Sequence, residues 1–292
     1  MTPTVILIVL VSTFMHAGWN LLARYSRSET TFYKKMLLIT TIVGLVPAVW
    51  SEVVTRSMTP LAWACVAGSG FSAAVYLFGL ARAFESSDFT IVYPVARSLP
   101  VIFVAFIDVL RGRHLTSFGW MGILLVVAGC VIVPAKSFKD LQLSNYFNRA
   151  SLWMMLAALG TVGYTLLDKI AAEVVQQGPD TAARYGYFYF AISSVPYLAF
   201  LRMFKSKRDK PAPNDWKLAL PAAVLGFAAY WLILWAYQLS PYASYIVAFR
   251  QFSIVIGAIS AFIIYKEQGV KMRLSGALLI TSGLVLIAGW GR

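Results

Sequence analysis

The chain is poor in charge, in acid above all. Of its 292 residues only 13% are charged, and there are 12 Asp and Glu against 25 Lys and Arg. A soluble domain of this size needs far more polar surface than that, so a water-exposed globule is excluded. There are only two histidines, His16 and His114, and two cysteines, Cys65 and Cys130. Both cysteines lie inside apolar runs, so they read as small core hydrophobes rather than a disulfide framework or a metal site. No HExxH, no cluster of His and Cys and no nucleotide-binding GxxxxGK[ST] occurs. Metal hydrolysis and direct ATP drive therefore find no residues, and no cofactor is expected. A basic n-region and a small-residue cleavage site are both missing at the N-terminus, so no cleavable signal peptide is expected.

What is there is hydrophobic, at 59% of the chain. Apolar runs recur at lengths near the ~20 residues that cross ~30 Å of hydrocarbon as a helix. Ten such runs can be drawn, at roughly 4–23, 33–50, 60–83, 89–108, 115–134, 150–171, 185–201, 217–238, 243–264 and 272–290. They do not alternate with period two, so they predict helices and not a barrel. The expected fold is an all-α polytopic membrane protein. The net charge of +13 sits in short loops between the runs. It therefore points to lipid phosphate and topology, not to nucleic acid. Expected partners are the bilayer and a small-molecule substrate, with no obligatory protein partner evident. Basic residues concentrate in the odd loops. Arg56, Arg111, Arg113, Lys169, Arg184 and Arg292 are the exceptions in even loops and termini. By the positive-inside rule both termini lie outside a cell (inner) membrane.

The chain repeats internally. RAFESSDFTIVYPVARSLPVIF from Arg82 falls on WAYQLSPYASYIVAFRQFSIVI from Trp235, with Ala83 on Ala236, Ser87 on Ser240 and Arg97 on Arg250. HAGWNLLARY from His16 falls on TVGYTLLDKI from Thr161, and GILLVVAG from Gly122 on GALLITSG from Gly276. The expected organisation is two five-span repeats, 1–145 and 146–292. Five is odd, so the second must be inverted relative to the first, an arrangement used by transporters.

These motifs, GWNLLAR and GYTLLDK, the span 3–4 stretch LFGLARAFESSDFTIVYPVARSLPVIFVAF, and the paired GILLVVAGCVIV and GALLITSGLVLIAG endings, resemble the EamA type of the drug/metabolite transporter superfamily. The acidic–basic pair usual after span 4 is reduced to RGRH. The resemblance implies ten transmembrane helices in two inverted five-helix repeats, a cavity between the halves and export of small metabolites, often amino acids. Within the superfamily the chain is also similar to the YddG-type aromatic amino acid exporters.

Candidate binding residues come from polar or aromatic groups at membrane depth. His16, Trp19 and Asn20 share one face of span 1 at i, i+3 and i+4. Their repeat partners Thr161, Tyr164 and Thr165 form the same stripe on span 6. Polar groups facing lipid are costly, so both stripes should face protein or a cavity. Helix-to-helix hydrogen bonding is the plainer alternative. Arg97 and Arg250, repeat mates inside spans, need a partner or water; a substrate carboxylate would suit them, as would structural pairing with Asp108 or Asp168. Gln251 adds a donor. Tyr76, Tyr93, Trp231, Trp235 and Tyr245 could hold an apolar side chain or offer ring faces to an ammonium group, although ordinary packing explains each as well. Spans 1, 3, 4, 6, 8 and 9 are expected around the cavity. Pro94 and Pro100 should bend span 4 where span 9 has Val247 and Ser253. The expected function is secondary transport of amino acids, including aromatic and apolar ones, by alternating access. Export of drugs or cationic metabolites is the alternative. A membrane-embedded enzyme or a channel fits less well, because neither a buried catalytic dyad nor a ring of like charges is visible.

Overall fold

The computed structural model describes residues 1–24, 29–86, 89–133, 135, 149–205, 216–265 and 270–291. For residues 24, 29, 84–86, 89–95, 149–150, 261–265 and 270 it describes the backbone alone. The described residues form helices and turns, with no strand among them. In order they are α1 (Pro3–Arg24), α2 (Glu29–Thr55), α3 (Pro60–Ser86), α4 (Phe89–Leu110), α5 (Ser117–Ile132), α6 (Arg149–Val174), α7 (Pro179–Met203), α8 (Trp216–Leu239), α9 (Ala243–Arg250), α10 (Phe252–Tyr265) and α11 (Val270–Trp290). Seven spans are long and apolar enough to cross a membrane, α9 and α10 counting together as one of them, and Ser117–Ile132 is apolar but shorter. The chain is a multi-pass membrane protein. The outward face of α2 shows why. Ile42, Val43, Val46 and Trp50 are each at least 70% exposed, tolerable in hydrocarbon and costly in water.

Small residues let the helices approach. Gly122 and Gly129 of α5 meet Gly283 and Gly276 of α11. A Cβ on Gly129 would come within 2.6 Å of the Gly276 carbonyl oxygen, and one on Gly122 within 2.7 Å of that of Gly283. A tight seam of this kind is how apolar helices gain contact when lipid tails are as oily as they are. The α3–α6 pair is built likewise, Gly160 lying over the backbone of Ser72 and Tyr76. Around these pairs α1 packs on α8, α2 on α7, and α4 on α5, α6 and α9.

The expected difference in bending between spans 4 and 9 takes an unexpected form. α4 runs uninterrupted through Pro94 and Pro100, and it is span 9 that breaks, at Gln251, between α9 and α10. Side chains make the break affordable. Gln251 Nε2 donates to the Val247 carbonyl at 3.0 Å and Ser253 Oγ to that of Arg250 at 2.8 Å, so freed carbonyls are satisfied without a proline.

One end of the bundle, around the α6–α7 turn, is laced by polar contacts. Buried Arg184 of α7 donates to Ser57 and Ser51 Oγ at 3.0 Å each and lies 3.3 Å from Glu52. Glu52 accepts from Ser57 Oγ at 2.6 Å and the Met58 amide at 2.9 Å. Lys169 of α6 donates to the carbonyls of Tyr237 and Ser240 at 2.9 and 2.8 Å. Glu173 pairs with Arg111 at 2.6 Å.

Candidate functional site

A recess of about 720 Å³, its mouth included, opens between α1, α2, α3, α6, α7, α8 and the end of α9. Its walls are aromatic. Tyr164 of α6 sits at the centre, edge-on to Tyr76, Tyr189 and Tyr230 with ring centroids 5.8–5.9 Å apart, and Tyr189 and Tyr230 stack at 4.3 Å. Such edge-to-face and offset pairs hold their rings in fixed orientations.

Arg250, the last residue of α9, projects into this cage. Its guanidinium lies 5.6 Å from the centroid of Tyr230. Among the described residues no carboxylate ion-pairs with it. Its planar fork therefore offers donors to the recess, in a low-dielectric wall where a charge-assisted bond is strong.

His16 and Trp19 line the same recess from α1. The Trp19 indole N–H donates to His16 Nδ1 at 3.1 Å, the rings meeting edge-on at 5.1 Å. Asn20 is occupied by its own helix, donating to the His16 carbonyl at 2.7 Å. Arg97 stands behind His16, 3.4 Å from its Nε2, and donates to Ser253 Oγ at 2.9 Å. It thus braces the break in span 9 rather than the recess wall. Neither Asp108 nor Asp168 ion-pairs with Arg97 or Arg250; Asp108 accepts the Ser244 amide at 2.8 Å.

Other candidates lie elsewhere. Thr161 is turned onto its own helix, donating to the Ala157 carbonyl at 3.0 Å. Trp231 donates to the Pro179 carbonyl at 2.7 Å, at the α6–α7 turn. Trp235 packs against the core, and Tyr245 is fully buried beside Tyr242 and Gly119. Gln251 stitches the helix break. The side chain of Tyr93 lies outside the described residues.

The recess also takes residues from two helices absent from the expected ring, α2 and α7. Tyr33, Met36, Leu37 and Thr40 line it from α2, and Tyr189, Phe190 and Ser193 from α7. The α2 residues fall at i, i+3, i+4 and i+7, one continuous face, and this spacing was the available signal. On α7 the ladder Tyr185, Tyr189, Ser193 at steps of four marked the inward face of the least apolar helix.

Residues 148–289 match the EamA-like transporter family, so the second half carries an EamA-like domain. That family consists of membrane transporters of small molecules. No curated protein matches the chain. One solved crystal structure, described simply as that of a protein, matches 100% of this chain and 99% of its own at a TM-score of 0.73 and 14% identity. At that identity the likeness is one of fold.

Proposed function

We propose that this protein is a secondary transporter that exports zwitterionic metabolites, amino acids with sizeable apolar or aromatic side chains foremost, as in the YddG-type branch. Two inverted repeats, 1–145 and 146–292, would rock about the recess to give alternating access. The observation that carries the substrate reading is Arg250: a guanidinium with no carboxylate partner among the described residues, set in a cage of tyrosines. A substrate carboxylate completes the arginine, its side chain lies against the rings, and ring faces accept its ammonium group. A cationic drug fits less well, since it would meet Arg250 with like charge in a desolvated wall.

The repeat reading draws support from packing. Repeat mates trade partners: α3 packs on α6 as α1 packs on α8, and α5 meets α11 with Gly122 on Gly283 and Gly129 on Gly276. The excess of basic residues in the odd loops favours outside termini in an inner membrane.

The test is uptake by proteoliposomes of a panel of amino acids, with and without a pH gradient. Arg250→Ala and Arg250→Lys are compared at matched protein. Losing one charge-assisted bond costs ~1.5–3 kcal/mol, roughly ten- to a hundredfold in affinity. The lysine variant should recover part of that, and Arg97→Ala should lose less than Arg250→Ala. Parental uptake by a folded Arg250→Ala protein would remove the carboxylate role.

A further inference from the structure

One buried acid takes no part in the scheme above. Asp168 of α6 is 1% exposed, yet among the described residues it has no ion-pair partner. Three hydroxyls from three other helices hold its carboxylate. Ser69 of α3 donates to Oδ1 at 2.5 Å, Tyr185 of α7 donates to Oδ1 at 2.8 Å, and Tyr230 of α8 donates to Oδ2. An acid at membrane depth is expensive to hide, and neutral hydroxyls offset only part of that cost.

Its position is as telling as its partners. Tyr230 is at once a donor to Asp168 and a wall of the aromatic recess. On its other side Asp168 lines a second, much smaller cleft of about 190 Å³, its open mouth included, with Ala172, Val175, Ala182, Tyr185, Leu234 and Gln238. That cleft lies toward the α6–α7 turn, the end laced by Arg184 and Lys169. A single carboxylate therefore stands between two spaces, with one tyrosine between it and the recess.

Among the described residues the surroundings contain little else that would answer to a proton. From α3 Cys65 and Ser69 face it, from α7 Tyr185 and Tyr189, from α8 Tyr230 and Tyr237, and from α9 Arg250 beyond the tyrosine rings. On α6 itself Tyr164 lies one turn back. Lys169 is turned away to Glu173 and the Tyr237 and Ser240 carbonyls. Asp108, on α4, faces Ser244.

We propose that Asp168 is a proton-binding site whose occupancy gates the α6–α7 end of the recess. Ionised, the carboxylate accepts from α3, α7 and α8 together and clamps them. When a proton arrives from the smaller cleft, the carboxyl loses its charge and one oxygen becomes a donor. It can then no longer accept all three bonds at charge-assisted strength. Tyr185 and Tyr230 are released, and α7 and α8 are free to part from α6. The proton leaves toward the recess past the Tyr230 hydroxyl, which lies between the two, and the clamp re-forms as the carboxylate regains its charge. This inference rests on the transport reading, because it supplies that reading with an energy source.

The test needs no substrate. Cys65 and Cys130 are replaced by alanine in the full chain, and Val175→Cys is introduced in the smaller cleft. Labelling by a water-soluble methanethiosulfonate is followed across pH and normalised to an exposed Asp180→Cys. Acidification should speed labelling at Val175→Cys by roughly tenfold or more. In Asp168→Asn it should be fast at every pH. In Tyr185→Phe, which removes one donor from the ionised form, the rise should begin roughly one pH unit higher. Infrared pH-difference spectra should show a protonated-carboxyl band that Asp168→Asn lacks. If Asp168→Asn does not fold, Tyr185→Phe alone carries the comparison. Labelling that ignores pH, or a pH response identical in the parent and both variants, would overturn the proposal. Because no amino acid is present, failure here leaves the substrate reading standing, and failure of amino acid uptake leaves the proton site standing.

Discussion

Consider Gly129→Ala, the addition of one methyl group to the seam between α5 and α11. The new Cβ would sit 2.6 Å from the Gly276 carbonyl oxygen and from Ile280 Cγ1, and 2.9 Å from the Ile280 amide nitrogen. Ordinary contact begins near 3.4 Å. Two of the three obstacles are backbone, so no rotamer change relieves them, and the helices must part by most of an ångström. Gly276 lies opposite, and its own Cβ site is 3.0 Å from the Gly129 carbonyl, so neither partner can slide away. Overpacking of this kind costs ~1–3 kcal/mol, against a gain of up to ~1 kcal/mol from replacing glycine inside a helix. The net loss of ~1–2 kcal/mol should lower the unfolding midpoint of the purified protein by a few degrees, read by tryptophan fluorescence or by size-exclusion after heating. Gly257→Ala is the internal control, because among the described residues nothing lies within 4 Å of a Cβ there. It should be neutral or slightly stabilising. If the two variants melt together, the close glycine seam does not hold α5 to α11.

Other consequences are as direct. Gly226→Leu should fill the recess from α8. Its Cβ meets chiefly the flexible Met36 Cε at 3.0 Å, so the melting temperature should stay within a few degrees while uptake by proteoliposomes is lost. Arg184→Ala strands buried Glu52, and loss of one member of a buried pair costs ~3–5 kcal/mol, so this variant should be the least stable of the set on thermal unfolding. Glu52→Gln, which keeps hydrogen bonding, should cost less. Trp19→Phe removes the indole donor to His16 and should cost ~0.5–1.5 kcal/mol in stability, with uptake weakened more than in Asn20→Ala, whose side chain serves only its own helix.

The helices were legible wherever apolar runs approach membrane length, and the stripes on α1 and α6 wherever polar side chains broke such a run. His16, Trp19 and Tyr164 reach the recess because a helical period and an energetic penalty act together: at that depth polarity must turn inward. Asn20 and Thr161 share those faces and still turn back to carbonyls of their own helices, a choice of rotamer that spacing does not encode. Tyr33 and Met36 of α2 were hidden for the opposite reason. An apolar lining residue has the same composition as a lipid-facing one, and only the packing of α2 on α7 and α8 tells the inner face from the outer. Tyr230 was obscured similarly, inside a run of alanines and tryptophans, until three helices converged on Asp168.

Arg97 and Arg250 show how a repeat can place one residue type twice and use it differently. Their host segments diverge at the backbone. α4 stays helical past Arg97, so that side chain leaves the helix laterally and reaches across to Ser253. α9 stops at Arg250, and the stop is held by Gln251 and Ser253 satisfying the carbonyls of Val247 and Arg250. Arg97 holds the Ser253 hydroxyl that donates to the Arg250 carbonyl, and Arg250 is left with its guanidinium among tyrosine rings. The broken span therefore does two jobs with one interruption: it aims an arginine at the recess, and it draws the repeat-related arginine into bracing the break. Ser253→Ala separates these jobs. It removes the acceptor for Arg97 and the donor to the Arg250 carbonyl, leaves every recess side chain in place, and should lower affinity and thermal stability together. A loss of stability with affinity intact would mean that the break and the recess are independent.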